Sequence, residues 1–251
     1  MDNFENSRIE KLIHMSWFPE WHVVKIKNYT YNFKNINFLI EDVLEIELGL
    51  DDQNDELEDQ MKDLLIIEII ASTMFLTEVF ASLVGGLKDQ PDNLQQYLKN
   101  FKATDVYSTI DKLSDDDYIK ILSIPPVNFI DEDGKNLLLV NLTPFKEILI
   151  ELKEYYFSNL DLFNSYKHGF RIFPLLTSNE NGDATSTIMQ LCREQNVARI
   201  HNFDKDIDKY LKISELTSGT FRILLNNLEN KLKNPNEWKV CIPAKRPTAT
   251  N

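Results

Sequence analysis

An apolar run at residues 64–84, LLIIEIIASTMFLTEVFASLV, constrains this chain more than any other stretch. It is long enough to cross a membrane as a helix. Glu68, Ser72, Glu78 and Ser82 interrupt it, and at ~100° per residue they fall within roughly 120° of one another. Because two carboxylates in a lipid-embedded helix would each be costly, this polar stripe favours a buried helix of a soluble protein with no membrane contact. A membrane span is the alternative.

The scarcity of turn-forming residues predicts a helical chain. Among 251 residues there are only 7 glycines and 9 prolines, and 43% of the residues are apolar. Few glycines and prolines mean few tight turns, and the apolar share is enough to build a core. We therefore predict a mainly α fold, a single helical-bundle domain over residues 1–251 with a small irregular or β insert.

The charge and the cysteines narrow the classes of function. A formal net charge of −13 repels phosphate backbones over most of the surface, so DNA is not an expected partner, while RNA could still bind a local basic patch. Cys192 and Cys241 form neither a metal-ligand pair nor a disulfide framework. No metal and no cofactor are expected. The N-terminus, MDNFENSRIEKL, lacks the features of a signal peptide, which indicates a cytoplasmic protein.

Several elements of the first half can be placed from the pattern. Residues 1–32 are uncertain, because their aromatic and β-branched side chains suit a short strand or an irregular lid. Short helices are predicted over 36–49 and 92–102. A long helix over 55–84 is expected to end at Gly85-Gly86, since glycine is a common helix stop. A further helix over 105–123 contains Ser114, a candidate N-cap.

The second half contains the clearest helix. Thr143-Pro144 opens it, and the apolar period continues through His168 to a stop at Gly169. Residues 187–203 suit either short strands or a broken helix. A final helix covers 205–234, with an interruption near Ser218-Gly219 as an open alternative, and residues 243–251 read as a flexible tail.

The end of the 143–168 helix carries a polar group of residues. At ~100° per residue, Asp161, Asn164 and His168 span roughly 60° of the helix surface, away from the apolar stripe that contains Phe163. A histidine beside a carboxylate is a plausible general acid or base. The structural alternative is that His168 caps the last helix carbonyls before Gly169.

The stretch FNSYKHGF, residues 163–170, resembles the signature of HEPN domains. These all-α modules are often metal-independent ribonucleases of toxin–antitoxin and defence systems. Their signature is an arginine, a polar residue, a short spacer, and a histidine followed by glycine and an aromatic residue. Asn164, His168 and Gly169-Phe170 match it, whereas Phe163 stands in the arginine position. In the family, the arginine and histidine of two subunits build one RNA-cleaving site, so the resemblance implies a homodimer or a complex with a protein partner.

Three functions follow from these residues. The first is a HEPN-like interaction module of a bacterial defence or toxin–antitoxin type system, without catalysis because the arginine is missing. The second is a divergent metal-independent endoribonuclease, in which His168 acts on the ribose, Asn164 and Asp161 orient it, and Arg171 or Arg199 holds phosphate. The third is an unrelated helical interaction protein in which the motif is a plain helix end.

Two other groups of residues were candidates for a site. If residues 192–201 are extended, Arg193, Arg199 and His201 share one face and form a small basic patch for phosphate, RNA or a partner, although a solvated surface is the simpler interpretation. His14 and His22 bracket an aromatic segment. With no third ligand, their spacing predicts aromatic packing and no metal site.

Overall fold

The computed structural model describes residues 19–36, 54–91, 94, 97, 101–125, 141–168, 172–178, 184–192, 197–201, 206–234 and 239–244. Helices dominate this part of the chain, which confirms the mainly α fold class. They are α1 (Pro19–Lys34), α2 (Asn54–Asp89), α3 (Ala103–Thr109), α4 (Asp115–Ile121), α5 (Thr143–Lys167) and α6 (Ile207–Lys233), with a 3-10 turn at Ile110–Lys112 between α3 and α4.

A three-stranded antiparallel sheet forms the small β insert. Its strands lie in chain order and are β1 (Ile172–Ser178), β2 (Ala184–Cys192) and β3 (Val197–His201). Pro174 lies in β1, an edge strand, where a missing N–H is tolerated. The ambiguity over residues 187–203 is resolved in favour of strands wherever that range is described.

The long apolar helix is α2, and most of its apolar surface is buried. In the described part of the chain, only its stretch Glu58–Asp89 is long and apolar enough to cross a membrane, and 67% of the most apolar window is buried inside the molecule. Ile66, Met74 and Phe80 are fully buried, and the Ser72 and Ser82 positions of the predicted polar stripe are buried as well. This burial is consistent with a core helix of a soluble protein.

The chain divides into two compact units, each assembled from separate segments. The first consists of Met1–Pro19, Leu76–Tyr156 and Glu215–Asn251, and the second of Glu20–Phe75 and Phe157–Ser214. The helices α2, α5 and α6 each supply residues to both units. The single domain over residues 1–251 stays a prediction.

Aromatic rings fill the core of the first unit. Tyr107 and Tyr156 stack with ring centroids 4.7 Å apart, and the Tyr107 hydroxyl donates a hydrogen bond to the Thr77 carbonyl at 2.9 Å. Burial raises the pKa of Tyr107 well above its usual value, so the hydroxyl stays neutral and keeps donating. Phe80 and Phe221 pack nearby with centroids 6.4 Å apart. Helices distant in sequence are thus joined by ring contacts within this unit.

A buried amide ties the segment at 239–244 to α6. The Asn227 side chain donates to the carbonyls of Leu122 at 3.1 Å and Cys241 at 2.8 Å, and it accepts from the Cys241 N–H at 2.9 Å. One turn further along α6, the Asn230 amide donates to the Lys239 carbonyl at 3.3 Å. Pro243, in the predicted tail, is buried, while residues 245–251 lie outside the described range. Side chains of α6 thereby pair with backbone groups of the segment at 239–244.

The predicted helix end at Gly85-Gly86 is wrong, because α2 continues to Asp89. A Cβ added at Gly86 would lie 2.7 Å from Leu94 Cδ2, and one at Gly85 would lie 2.7 Å from Tyr97 Cζ. The two glycines therefore allow side chains to approach the helix backbone closely. In this helix they act in packing and do not end it.

Replacing Gly85 with alanine is expected to lower the free energy of unfolding by about 2 kcal/mol, because the added methyl group would overlap the Tyr97 ring. The matched control is Gly219→Ala in α6, where nothing lies within 4 Å of an added Cβ. That variant should gain about 0.5–1 kcal/mol from helix propensity. Urea unfolding followed by circular dichroism measures both. Equal free energies of unfolding for the two variants would contradict the close packing at Gly85.

Other helix predictions had mixed outcomes. The strand or lid expected within residues 1–32 is wrong from Pro19 onward, where α1 lies, and residues 1–18 are outside the described range. The 105–123 helix is broken into α3, the 3-10 turn and α4. Ser114 begins α4 with a capping box: its hydroxyl accepts from the Asp117 N–H at 3.2 Å, and its own N–H donates to the Asp117 carboxylate at 2.9 Å. The bond from the Ser114 N–H to the Asp117 carboxylate, and then a second bond from the Ser114 hydroxyl to the same carboxylate at 2.8 Å, lower the pKa of Asp117.

The two longest predictions after residue 140 are confirmed. The 143–168 helix is α5, which ends at Lys167 with His168 in a turn, and the 205–234 helix is α6, which continues without interruption through Ser218-Gly219. The helix predicted at 36–49 lies outside the described residues, apart from Ile36. Of the 92–102 helix only four residues are described: Leu94 and Tyr97 are helical, and Phe101 and Lys102 are not.

Candidate functional site

Phe163, in the arginine position of the HEPN-like signature, is a core residue. Its side chain is 0% exposed, as the sequence pattern predicted. Its ring meets the ring of Phe75 edge-on with centroids 4.8 Å apart. An aromatic ring in this closed position leaves no route by which residue 163 could reach a phosphate group.

Lys167 supplies a positive charge at the same end of α5, but it lies over these rings. Its Nζ is 4.1 Å from the Phe163 centroid and 5.7 Å from the Phe75 centroid. A cation held against aromatic faces is stabilised by the ring quadrupoles, and its methylene stem covers apolar surface. The helical period of α5 places Lys167 one turn from Phe163, but it does not predict the contact with Phe75, which lies on α2.

Asp161, Asn164 and His168 all lie exposed at the C-terminal end of α5. The His168 N–H donates to the Asn164 carbonyl at 3.2 Å, which closes the last turn of the helix. Within the described part of the chain, no hydrogen bond or ion pair joins the Asp161 carboxylate to the His168 imidazole. A histidine that acts as a general base is normally oriented by such a partner. The three residues share an exposed surface, and their catalytic role stays a prediction.

The backbone at Asp161 is tied to the sheet. Gln190 in β2 is buried, and its side-chain amide donates to the Asp161 carbonyl at 3.2 Å and to the Ser165 hydroxyl. A buried amide needs such partners, and here it fixes the last two turns of α5 against β2. The position of the exposed polar group is therefore set by the fold of the second unit.

The predicted basic patch is only partly within the described residues. Arg171 and Arg193 lie outside them. In β3, Arg199 pairs with Gln190 and His201 pairs with Ile188 in the strand register. Both partner positions in β2 are buried. Arg199 and His201 are two residues apart in an extended strand, as the prediction required. Their role in binding phosphate stays a prediction.

His22 extends the aromatic group to α1. Its ring stacks on Phe75 with centroids 6.3 Å apart, and its Nδ1 is buried without a hydrogen-bond partner in the described part of the chain. Burial, and then the nearby Lys25 charge, lower the pKa of His22, so a neutral imidazole packs here. The predicted aromatic packing is confirmed for His22, and His14 lies outside the described residues. No group of three or more His, Cys, Asp or Glu residues that could hold a metal occurs within the described ranges.

Glu68, on the polar stripe of the apolar run, forms a network that sequence reasoning missed. The Tyr166 hydroxyl lies 3.0 Å from each carboxylate oxygen of Glu68. Burial, and then the Glu68 charge, raise the pKa of Tyr166 to about 12, and burial followed by Glu68 also raises the pKa of Tyr29. A carboxylate in an apolar run predicts a buried donor, but it does not say which residue supplies it.

The first unit contains a cavity of about 170 Å³ beside Gly85 and Tyr97. Lys88 and Asp89 line it and form an ion pair at 3.1 Å. Burial, and then the charges of Asp89 and Asp105, raise the pKa of Tyr97. Lys88 is paired and Tyr97 stays protonated, so neither side chain supplies a nucleophile or a base to this cavity.

No protein-family model, curated protein or solved structure matches this chain.

Proposed function

We propose that this chain is a HEPN-like helical module that acts through protein contacts and does not cleave RNA. It works in the cytoplasm as a homodimer or with a protein partner, in a bacterial defence or toxin–antitoxin type system. The burial of Phe163 supports this most directly. The buried ring of Phe163 occupies the position at which the signature requires a cation at the surface.

Three further observations support the loss of catalysis. Lys167, a cation beside the signature histidine, lies against the rings of Phe163 and Phe75. His168 has no hydrogen bond or ion pair with the Asp161 carboxylate, so no side chain of that group orients its imidazole. The net charge of −13 adds a general repulsion against RNA.

Incubation with a labelled transfer-RNA pool tests the proposal. Neither the wild-type protein nor His168→Ala is expected to cleave RNA above the buffer background, with a chelator present to exclude metal-dependent contaminants. Circular dichroism must show that both proteins are folded, and a metal-independent ribonuclease serves as the positive control. Cleavage by the wild type that is lost in His168→Ala would contradict the proposal and establish the divergent ribonuclease.

A further inference from the structure

The helix α1 has one buried and one exposed face, and the exposed face carries three large apolar side chains. Ile26 and Thr30 are buried on the inner side. On the outer side Trp21 is 54% exposed, Val24 is 55% exposed and Tyr31 is 65% exposed. Large side chains exposed to this degree on one short helix are typical of a binding surface.

The spacing on this face matches the spacing of helix–helix contacts. Trp21, Val24, Asn28 and Tyr31 follow one another at intervals of three, four and three residues, and at ~100° per residue they span roughly 80°. This is the spacing of the a and d positions in a coiled coil. We call these four residues the Trp21 face. A partner helix would fit along it with its own a and d side chains between them.

Lysines flank the Trp21 face on both sides. On the helical wheel Lys25 lies on one side of it, with its Nζ 5.6 Å from the Trp21 ring centroid, and Lys27 and Lys34 lie on the other. The ion pair of Lys34 with Asp208, at 3.3 Å, is highly exposed and is therefore weak. Glu20 is the one acidic residue of α1, which has three lysines. The helix is therefore basic, although the whole chain has a net charge of −13.

Building on the proposed function, we infer that the Trp21 face binds an acidic amphipathic helix of a partner protein. Apolar residues of that helix would cover Trp21, Val24 and Tyr31, and carboxylates on its flanks would meet the lysines. A second copy of the chain fits poorly, because its lysine flanks would face these lysines. Nucleic acid fits poorly too, since Val24 offers no stacking surface and the net charge of −13 repels phosphates over most of the protein surface.

A designed peptide tests this inference on the full-length protein. The probe is a fluorescent three-heptad helix with Leu at positions a and d and Glu at positions e and g, whose own charge repulsion prevents self-association. Fluorescence anisotropy should show binding that weakens as salt is added. A matched peptide with Lys in place of each Glu should not bind.

Val24→Glu should weaken binding of the acidic peptide at least tenfold. The matched control Ile150→Glu, at a 41% exposed position in the first unit, should leave that binding unchanged.

Three outcomes would overturn the inference: no binding of the acidic peptide, equal binding of both peptides, or equal effects of the two glutamate variants. Binding of a labelled single-stranded RNA that is lost in Val24→Glu would assign the Trp21 face to nucleic acid and overturn it as well. The ribonuclease assay is independent of these results. A protein that binds no peptide and cleaves no RNA would refute this inference alone, and one that cleaves RNA would refute the proposed function.

Discussion

Phe163→Ala is expected to lower the free energy of unfolding by about 4 kcal/mol, the largest effect of the alanine substitutions considered for this protein. The side chain is fully buried, and its removal would leave a cavity facing the edge of Phe75. Lys167 would lose the nearer of the two rings over which it lies. Chemical unfolding followed by circular dichroism gives the free energy directly.

The control for this variant is Asn164→Ala, one residue further along the same helix and exposed. It should change the free energy of unfolding by no more than about 0.5 kcal/mol. Phe163→Arg restores the residue of the HEPN signature, yet it should unfold the protein, because the guanidinium would enter a closed aromatic contact. A folded Phe163→Arg protein that cleaves RNA would show that residue 163 can reach the surface, contrary to the burial described above.

Asn227→Ala is expected to lower the free energy of unfolding by about 3 kcal/mol. The substitution removes three hydrogen bonds and leaves the Leu122 carbonyl and both backbone groups of Cys241 without their partner. Pro243 should become exposed as the segment at 239–244 detaches from α6. The exposed Cys241 thiol offers a second measurement, since it should react faster with a thiol reagent in this variant.

Two comparisons separate the hydrogen bonds from the loss of volume. Asn226→Ala, at the neighbouring exposed position, should have little effect or be slightly stabilising. Asn227→Asp has nearly the original shape but would place an oxygen against two carbonyl oxygens, so it should be at least as destabilising as Asn227→Ala. A stable Asn227→Asp protein would show that the amide donor is not what holds this segment.

Local signals predicted α5 and α6 well, because each helix is specified by its own residues. Thr143-Pro144 marks a helix start, and the apolar period that follows needs no information from elsewhere in the chain. The failure at Gly85-Gly86 has the opposite cause. Whether a glycine ends a helix or admits a neighbouring side chain depends on Tyr97 and Leu94, whose positions are set by tertiary packing. The sequence around the glycines looks the same in both cases.

The candidate site was predicted only in its outline. The shared exposed surface of Asp161, Asn164 and His168, and the burial of Phe163, follow from the helical period of α5. The contacts of Lys167 with Phe75 and of Glu68 with Tyr166 join residues far apart in sequence, and no local pattern specifies them. The strand or lid expected around Trp21 was wrong because β-branched and aromatic residues suit either a strand or a well-packed helix.

The interleaved segments of the two compact units restrict how this protein could have been assembled during evolution. Neither unit is a continuous stretch of chain, and α2, α5 and α6 each pass from one to the other. A single recombination crossover could not transfer either unit intact to another gene. Inheritance of the two units together, with change by substitution and by insertion between helices, is the route that this connectivity leaves open.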